Sequence, residues 1–324
     1  MSSTRKRLIE LLMHHEDTYI SGQVLSEKLS ISRNAVWKHM NELKKDGYTI
    51  EAKAKLGYKI ISYPNKVSEN TISWGLNTNW LGNRIVHRET VTSTQRIAHE
   101  LALDGAQHGT IVIADEQTEG KGRIGKQWDS KSGKGIWMSM ILRPNIPPYL
   151  APQLTLLTAT VVAEVIDKET SVTPQIKWPN DVLVDGKKIA GILTEMQAEQ
   201  DQISYVIVGI GINVNQEKNE IPVNTNYEAS SLFLETKQEL NMVALLQRIL
   251  QTFEDKYDRF LDRGFEEVKQ QWESYGFRIH ERLQVTIAKE TWDGIFLGIA
   301  EDGALLMDRA GEIKRIYSGE IAWF

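Results

Sequence analysis

Apolar residues in the first 45 positions recur at spacings of three and four. Leu8, Leu11 and Leu12 form one group, Val24, Leu25 and Leu29 a second, and Val36, Met40 and Leu43 a third. This spacing predicts three short amphipathic helices, each with one buried face. Thr4, Ser21 and Ser32 stand where N-caps are expected, and Gly47 where the third helix ends. From Tyr48 to Ile60 the pattern changes to alternation: Ile50, Ala52 and Ala54 point one way, Glu51, Lys53 and Lys55 the other, with Gly57 at the turn. Three helices and a hairpin over residues 1–63 make a winged helix-turn-helix. Pro64, the only proline of the first 140 residues, breaks the pattern within Ser62-Tyr63-Pro64-Asn65-Lys66, which reads as a linker.

Beyond it, a short helix begins near Ser68, and Ser93 caps a helix carrying Ile97 and Leu101. Strands are expected at Arg84–Thr90, Thr110–Ala114, Gln175–Trp178 and Val206–Gly211. Residues 241–275 read as helical, with Val243, Leu246 and Leu250 on one face. Residues 281–324 return to short strands, with turns at Asp302-Gly303 and Ala310-Gly311, and read as a small β-barrel. The fold class is α+β and multidomain: a head over 1–63, a central domain over 64–278 and a small β-domain over 279–324.

Composition narrows the function. The 324 residues exceed a single ordinary core, and 41% hydrophobic with 25% charged residues is the balance of a soluble globular protein. No apolar run reaches the roughly 18 residues of a membrane span, and the N-terminus has no signal-like apolar stretch, so a cytoplasmic protein is expected. The absence of cysteine excludes disulfides, thiolate nucleophiles and cysteine-ligated metals; seven scattered histidines offer no H-E-x-x-H pair. Charge is uneven. Residues 1–63 hold 11 Lys/Arg against 7 Asp/Glu, a net +4, which leaves −9 on the rest. A basic head on an acidic body suggests that the head alone meets a polyanion. In a DNA-binding reading the third helix enters the major groove, with Arg33, Asn34 and Asn41 at base edges and Trp37 exposed beside them. Lys38, Lys44 and the wing lysines Lys53 and Lys55 then meet phosphate. The alternative is a protein-interaction domain with a solvated basic face.

The richest segment is Gln117-Thr118-Glu119-Gly120-Lys121-Gly122-Arg123-Ile124-Gly125-Lys126-Gln127-Trp128. It is not a Walker A box, since Gln127 stands where Ser or Thr would hold magnesium, and not a Rossmann turn, since no amphipathic helix follows. Three glycines let the backbone close around an anion while Lys121, Arg123 and Lys126 supply charge; the alternative is a flexible basic surface loop. Further on, Asp185-Gly186 between apolar strands signals a tight hairpin that brings Asp181 near Lys188. The two could be a plain ion pair, or a magnesium ligand beside a phosphate-neutralising lysine. In Gly209-Ile210-Gly211-Ile212-Asn213, glycine alternates with apolar residues as it does where a ligand approaches closely, and Asn213 is placed to bond a nucleotide base.

Five motifs in order carry a family resemblance: Ser93-Thr94-Gln95 with Gln117, Gly120-Lys121-Gly122-Arg123, Lys177-Trp178-Pro179-Asn180-Asp181, Lys188-Ile189-Ala190-Gly191-Ile192-Leu193, and Gly209-Ile210-Gly211-Ile212-Asn213. With the head in front and the β-domain behind, the whole chain resembles the bacterial bifunctional biotin-protein ligases and biotin-operon repressors. The resemblance implies a catalytic fold related to class II aminoacyl-tRNA synthetases and lipoate ligases, with an SH3-like C-terminal barrel. It implies ATP and Mg²⁺, biotin as substrate, and biotinyl-5′-AMP as intermediate and corepressor. A biotin carboxyl carrier protein, operator DNA and a second copy of the chain are the implied partners. It places Ser93, Thr94, Gln95 and Gln117 at the biotin ureido ring, and Lys121, Gly122 and Arg123 over its chain and carboxylate. Lys188 bridges carboxylate and α-phosphate, and Asp181 serves the magnesium or phosphate region. Gly120, Trp128, Lys177 and Asn213 belong to the nucleotide side. The family usually has arginine where this chain has Lys121, which keeps the charge and loses the bidentate fork. Two alternatives remain at this stage, a ligase for lipoate or another carboxylic acid and a metabolite-sensing repressor without catalysis.

Overall fold

A computed structural model describes residues 4–323 except 14, 16, 17, 46, 63, 65, 132, 223–227, 288 and 289. Tyr63 and Asn65 of the linker and Ser132 of the loop after Trp128 therefore lie outside the described residues. The chain divides into two compact units, 1–76 with 241–243, and 77–240 with 244–324.

In the first unit, α1 (Thr4–Met13), α2 (Gly22–Leu29) and α3 (Arg33–Lys45) precede a hairpin of β1 (Thr49–Lys53) and β2 (Gly57–Ser62), followed by α4 (Glu69–Ser73). Ser21 and Ser32 are caps as the sequence marks them, whereas Thr4 is the first residue of α1 itself. Ser21 Oγ accepts from Val24 N and Ser32 Oγ from Ala35 N, each satisfying a helix-terminal N–H. Leu8, Leu12, Leu25, Leu29, Val36, Met40, Leu43, Ile50 and Ile60 share one core, and Trp74 packs against it. Compact packing therefore continues past the expected boundary at residue 63. Two details differ from the sequence reading. Val24 is exposed, because the narrow α2 stripe buries only Leu25 and Leu29. Ala52 and Ala54 are also exposed, since only Ile50 of that wing strand reaches the core.

The second unit is built on β3 (Ile85–Val91), α5 (Thr94–Leu103), β4 (Thr110–Gln117), β5 (Gly135–Leu142), α6 (Ala151–Glu169), β6 (Pro174–Lys177), β7 (Asp181–Val184), β8 (Lys187–Glu199) and β9 (Gln202–Asn213). The strands form one seven-stranded sheet in the order β3-β4-β5-β9-β8-β7-β6, with β3 and β4 parallel and the other neighbours antiparallel. Alternation gives each face its partner. Val86, Val112, Ile141 and Ile207 pack with Ala98 and Ala102 of α5. On the other face Thr194 bonds Thr155 of α6 at 2.8 Å. After α7 (Leu232–Thr236), the expected single helix is two, α8 (Met242–Arg263) and α9 (Glu266–Tyr275). The break is at Gly264, whose φ of +83° a helix cannot continue. Five antiparallel strands, β10 (Arg282–Ile287), β11 (Glu290–Ile299), β12 (Leu305–Arg309), β13 (Glu312–Ile316) and β14 (Glu320–Trp323), close the chain in the order β13-β12-β11-β10-β14. The most apolar long helix, over Pro148–Glu169, has 78% of its apolar window buried inside this unit, as a core helix does.

Glu164 of α6 pins the helices together. It is buried, and it pairs with Lys168 (2.5 Å) and Lys256 (2.8 Å) and accepts from Gln271 Nε2 (2.6 Å). Burial alone would raise its pKa, but bonds from Lys168, Lys256 and Gln271 hold it down at about 2. A folded-state carboxyl below its unfolded value stabilises above the unfolded pKa, and that contribution is lost as pH falls towards about 2. Solvent screens the exposed Lys168 partner, so the contribution is smaller than the full shift implies, on the order of 1–2 kcal/mol. We expect Glu164→Gln to lower the thermal midpoint at pH 7 and to flatten its fall between pH 5 and 3, as measured by calorimetry. An unchanged acid limb would show that the pin carries no such weight.

Candidate active site

A cavity of about 750 Å³ opens on the α5 face of the sheet. Its floor is made of residues without side chains to fill it. Gly191, Gly209 and Gly211 sit side by side on β8 and β9, with Ser139 of β5 paired to Gly209. A Cβ on Gly209 would lie 2.5 Å from Gln95 Oε1, and one on Gly211 within 3.0 Å of three atoms of the Trp128 ring. These strands carry glycine because something must lie flat against them.

One side of the cavity is an uncharged hydrogen-bonding socket. The N-terminus of α5 places Thr94 N 2.8 Å from Gln117 Oε1, and Thr94 Oγ1 lies 2.9 Å from Ser139 Oγ. Ser139 Oγ donates to Gln95 Oε1 (3.0 Å), Gln95 Nε2 to the Ile207 carbonyl (3.3 Å), and Gln117 Nε2 to Ser130 Oγ (2.7 Å). Ser93 stands at the N-cap position of α5, yet its hydroxyl makes no cap bond and is buried without a protein partner at the cavity wall. A buried hydroxyl in that state is costly unless a ligand satisfies it.

The other side is cationic. The loop from Gly120 turns tightly through a single 3-10 turn at Arg123–Gly125, with no α-helix, and a Cβ on Gly120 would strike the Trp128 carbonyl at 2.4 Å. Lys121 is exposed at the rim, Gly122 N donates to the Lys126 carbonyl, and Lys126 Nζ pairs with Glu320 of β14 at 2.6 Å. Arg123 Nη1 donates to Asn180 Oδ1 (3.0 Å); burial lowers its pKa, while the carboxylates of Asp181 and Glu320 support its charge. The Asp185-Gly186 turn, with φ of +49° and +75°, folds β7 onto β8 and sets Lys188 Nζ 2.7 Å from Asp181 Oδ1 and 5.1 Å from the Trp128 ring. Both reactive-looking groups are mostly buried, at 23% and 14% side-chain exposure. Lys177 is buried with its ammonium 5.0 Å from the Trp323 ring, and burial lowers its pKa to about 8 despite Asp181. Trp128 lies over Gly211 and Gly191 with its Nε1 unpartnered. Asn213 lines the cavity, but its amide is already engaged: Nδ2 donates to the Ser230 carbonyl (2.9 Å), and Oδ1 accepts from Gln216 (3.3 Å).

A lysine with a pKa of about 8 loses charge as pH rises through that value. If Lys177 serves the phosphate side, kcat/KM for ATP should fall on an alkaline limb near pH 8, and Lys177→Arg should move that limb upward. A pH profile identical in the variant would exclude Lys177 from it.

The head carries its own candidate surface. Arg33, Asn34, Trp37 and Lys38 are exposed on α3, with Asn41 half-buried, and Lys55 is exposed at the wing turn. Lys53 is otherwise engaged, 3.2 Å from Glu51 and above the Tyr19 ring.

The cavity lining also includes Ser139, Ser130 and Glu320, which sequence reasoning did not single out, and Asn180, which it quoted in a motif without a role; Trp323 lies behind Lys177. A serine inside the apolar run Gly135–Leu142 was a usable signal; nothing local marked Glu320 or Trp323.

Sheet, glycine floor and cationic loop make the second unit a domain built to bind an anionic small molecule. A family model described as Biotin/lipoate A/B protein ligase family matches residues 87–213, an HTH domain model 4–59, and a Biotin protein ligase C terminal domain model 284–322. The Bifunctional ligase/repressor BirA of Bacillus subtilis (strain 168) is 45% identical over 320 residues, 99% of this chain and 98% of that protein. The protein of the same name from Escherichia coli (strain K12) is 28% identical over 98% of this chain and 96% of its own. Among solved structures, the biotin protein ligase from Aquifex aeolicus in complex with biotin and ATP is 31% identical, with a TM-score of 0.64 over 74% of this chain and 98% of that one. The chain belongs to the bifunctional biotin-protein ligase/repressor family.

Proposed function

We propose that this protein is an ATP-dependent biotin-protein ligase which forms biotinyl-5′-AMP, transfers biotin to a lysine of a biotin carboxyl carrier protein, and represses transcription of biotin genes while it holds the adenylate. The observation that carries the reading is one cavity with a neutral hydrogen-bonding socket on one side and Arg123, Lys126, Lys177 and Lys188 on the other. A ureido ring is neutral and rich in donors and acceptors, which suits Ser93, Thr94, Gln95 and Gln117. A carboxylate meeting a triphosphate needs fixed cations more than a nucleophilic side chain.

The carboxylate oxygen of biotin attacks the α-phosphorus of ATP, forming the mixed anhydride and releasing pyrophosphate. The acceptor amine then attacks the anhydride carbonyl, an amide forms as the nitrogen gives up a proton to solvent, and AMP leaves with the electron pair of the broken C–O bond. Lys188 holds carboxylate and α-phosphate together, Arg123 and Lys121 lie over the bound acid, and Lys177 with Lys126 faces the departing phosphates. Trp128 walls the adenine, with Gly120 giving the loop its close turn and Asn213 holding the Ser230 backbone beside the base. Mg²⁺ supplies further charge neutralisation on the phosphates when bound. Asp181 lines the cavity and would hold the ion, with phosphate and water as its further ligands.

For the head, Arg33, Asn34, Trp37, Lys38, Asn41 and Lys55 meet operator DNA, and Lys53 joins them once it leaves Glu51. One head offers one half-site, so a homodimer on a palindrome is the functional form, promoted by biotinyl-5′-AMP. The protein works in the cytoplasm, where ATP, operator and acceptor coexist.

The test is incubation with ATP, Mg²⁺ and labelled biotin, with detection of the adenylate and of labelled acceptor; absence of both overturns the ligase reading. Sedimentation and operator binding of the same sample without ligand, with biotin, and with a non-hydrolysable adenylate analogue test the regulatory half. We expect the analogue to raise both assembly and operator affinity, by the reciprocal coupling that linkage requires. Identical behaviour in all three would mean that ligase and head are merely fused.

A further inference from the structure

We propose that Trp37 is a specificity-determining residue of the head and reads the methyl group of a thymine in the DNA major groove. The inference rests on the reading of the head as a DNA-binding module and goes beyond it by naming a base feature. Helix α3 buries Val36, Met40 and Leu43 on one side, which fixes its rotation about its own axis. Trp37 then points to solvent and is 61% exposed, although it is one of the largest side chains of the unit and mostly apolar. At 100° per residue, Arg33, Asn34, Lys38, Asn41, Lys44 and Lys45 fall on the arc around it. The one carboxylate of α3, Glu42, lies off that arc and contacts His39 Nδ1 at 3.1 Å. An indole left in water at the centre of a cationic, amide-bearing surface has no account in the packing of the head.

Its surroundings choose the occupant. The cations fit a polyanion, and a two-stranded wing beside an amphipathic helix fits the dimensions of B-form DNA. Within the major groove, Arg, Lys and Asn answer the hydrogen-bonding edges of guanine and adenine. The C5-methyl of thymine is the one apolar feature there, and it asks for an apolar partner. The indole has a single N–H donor and no acceptor, so most of its surface can be satisfied only by such a contact. An indole lying on the sugar-phosphate backbone would instead bind every sequence alike.

Methyl removal tests this without altering the protein. Full-length protein with biotin, ATP and Mg²⁺ selects preferred duplexes from a random-sequence library. Each thymine of the selected site is then replaced singly by deoxyuridine, and affinity is measured by fluorescence anisotropy for wild type, Trp37→Ala and Trp37→Phe. We expect one thymine per half-site whose demethylation weakens wild-type binding about four-fold, the value of burying one methyl group at about 0.8 kcal/mol. Trp37→Ala should be indifferent to that same replacement, and Trp37→Phe should keep part of the sensitivity. Trp37 is exposed, so the variants should retain the helical circular dichroism of the parent.

A thymine whose demethylation costs wild type and Trp37→Ala equally overturns the proposal. So does a uniform loss of affinity in Trp37→Ala with no methyl-dependent position. Both outcomes leave the DNA-binding reading standing. If the wild-type protein enriches no duplex and binds none, the DNA-binding reading itself fails and takes this proposal with it.

Discussion

Replacing Lys188 with alanine should slow biotinyl-adenylate formation by roughly two orders of magnitude and leave the fold standing. The side chain sits on β8 with its ammonium 2.7 Å from Asp181 and 5.1 Å from the Trp128 ring, inside the cavity proposed for the reaction. Its backbone is held independently: Lys188 N donates to the Glu228 carbonyl, and the Lys188 carbonyl accepts from Ser230 N. Truncation therefore removes the charge without releasing the strand. A preorganised cation beside a developing phosphoryl charge is worth about 2–4 kcal/mol of barrier. The loss has a second part, because Asp181 would be left with a buried negative charge facing the triphosphate. Because Asp181 is also the residue that would hold Mg²⁺, we expect Asp181→Asn in the Lys188→Ala background to lower the rate further. Single-turnover pyrophosphate release measures both variants, with a thermal melt as the control for folding. A folded Lys188→Ala protein that releases pyrophosphate at the wild-type rate removes Lys188 from the reaction.

How far the sequence could reach is visible in this same pair. Asp181 and Lys188 are seven positions apart across a turn whose residues, Asp185 and Gly186, are suited to positive φ, so local chemistry alone brings them together. The caps at Ser21 and Ser32 and the buried stripe of α3 were legible for the same reason: each depends on residues within one or two helical turns. Partners supplied by distant elements were not. Glu320 meets Lys126 across 194 positions, and Trp323 meets Lys177 only because β14 pairs with β10. Neither contact leaves a mark in the pattern of either segment. Asn213 shows a subtler limit. Its place at the end of a glycine-rich strand was readable, and Gln216 is only three positions away, but its bond to the Ser230 carbonyl depends on a segment that returns to the sheet from outside it. The glycine-rich loop marked itself by composition, yet its backbone course depends on Trp128 and Ser130 turning back over Gly120.

Gly211→Ala should cost ATP-dependent turnover nearly as much as losing Trp128 outright. Gly211 lies in a regular strand with no positive φ, so alanine meets no backbone strain there. What it meets is the indole, with the added Cβ at 2.6, 2.7 and 3.0 Å from three atoms of a rigid ring. The floor cannot yield, because β9 is paired on both sides, with Gly211 opposite Trp137 of β5 and opposite Gly191 of β8. Trp128 must therefore leave its seat, and the adenine wall goes with it. Stacking of a base on an aromatic side chain is worth about 1–3 kcal/mol, so kcat/KM for ATP should fall by about one to two orders of magnitude. Biotin binding should suffer less, since the socket from Ser93 to Gln95 stands over Gly209 instead. The decisive measurement is a double-mutant cycle. In a Trp128→Ala background the added methyl group has nothing rigid to strike, and Gly211→Ala should then change kcat/KM for ATP by less than a factor of about two, within the usual scatter of such cycles. If the two substitutions instead multiply, Gly211 is needed for something other than seating the indole, and the place of Trp128 beside the nucleotide loses its support.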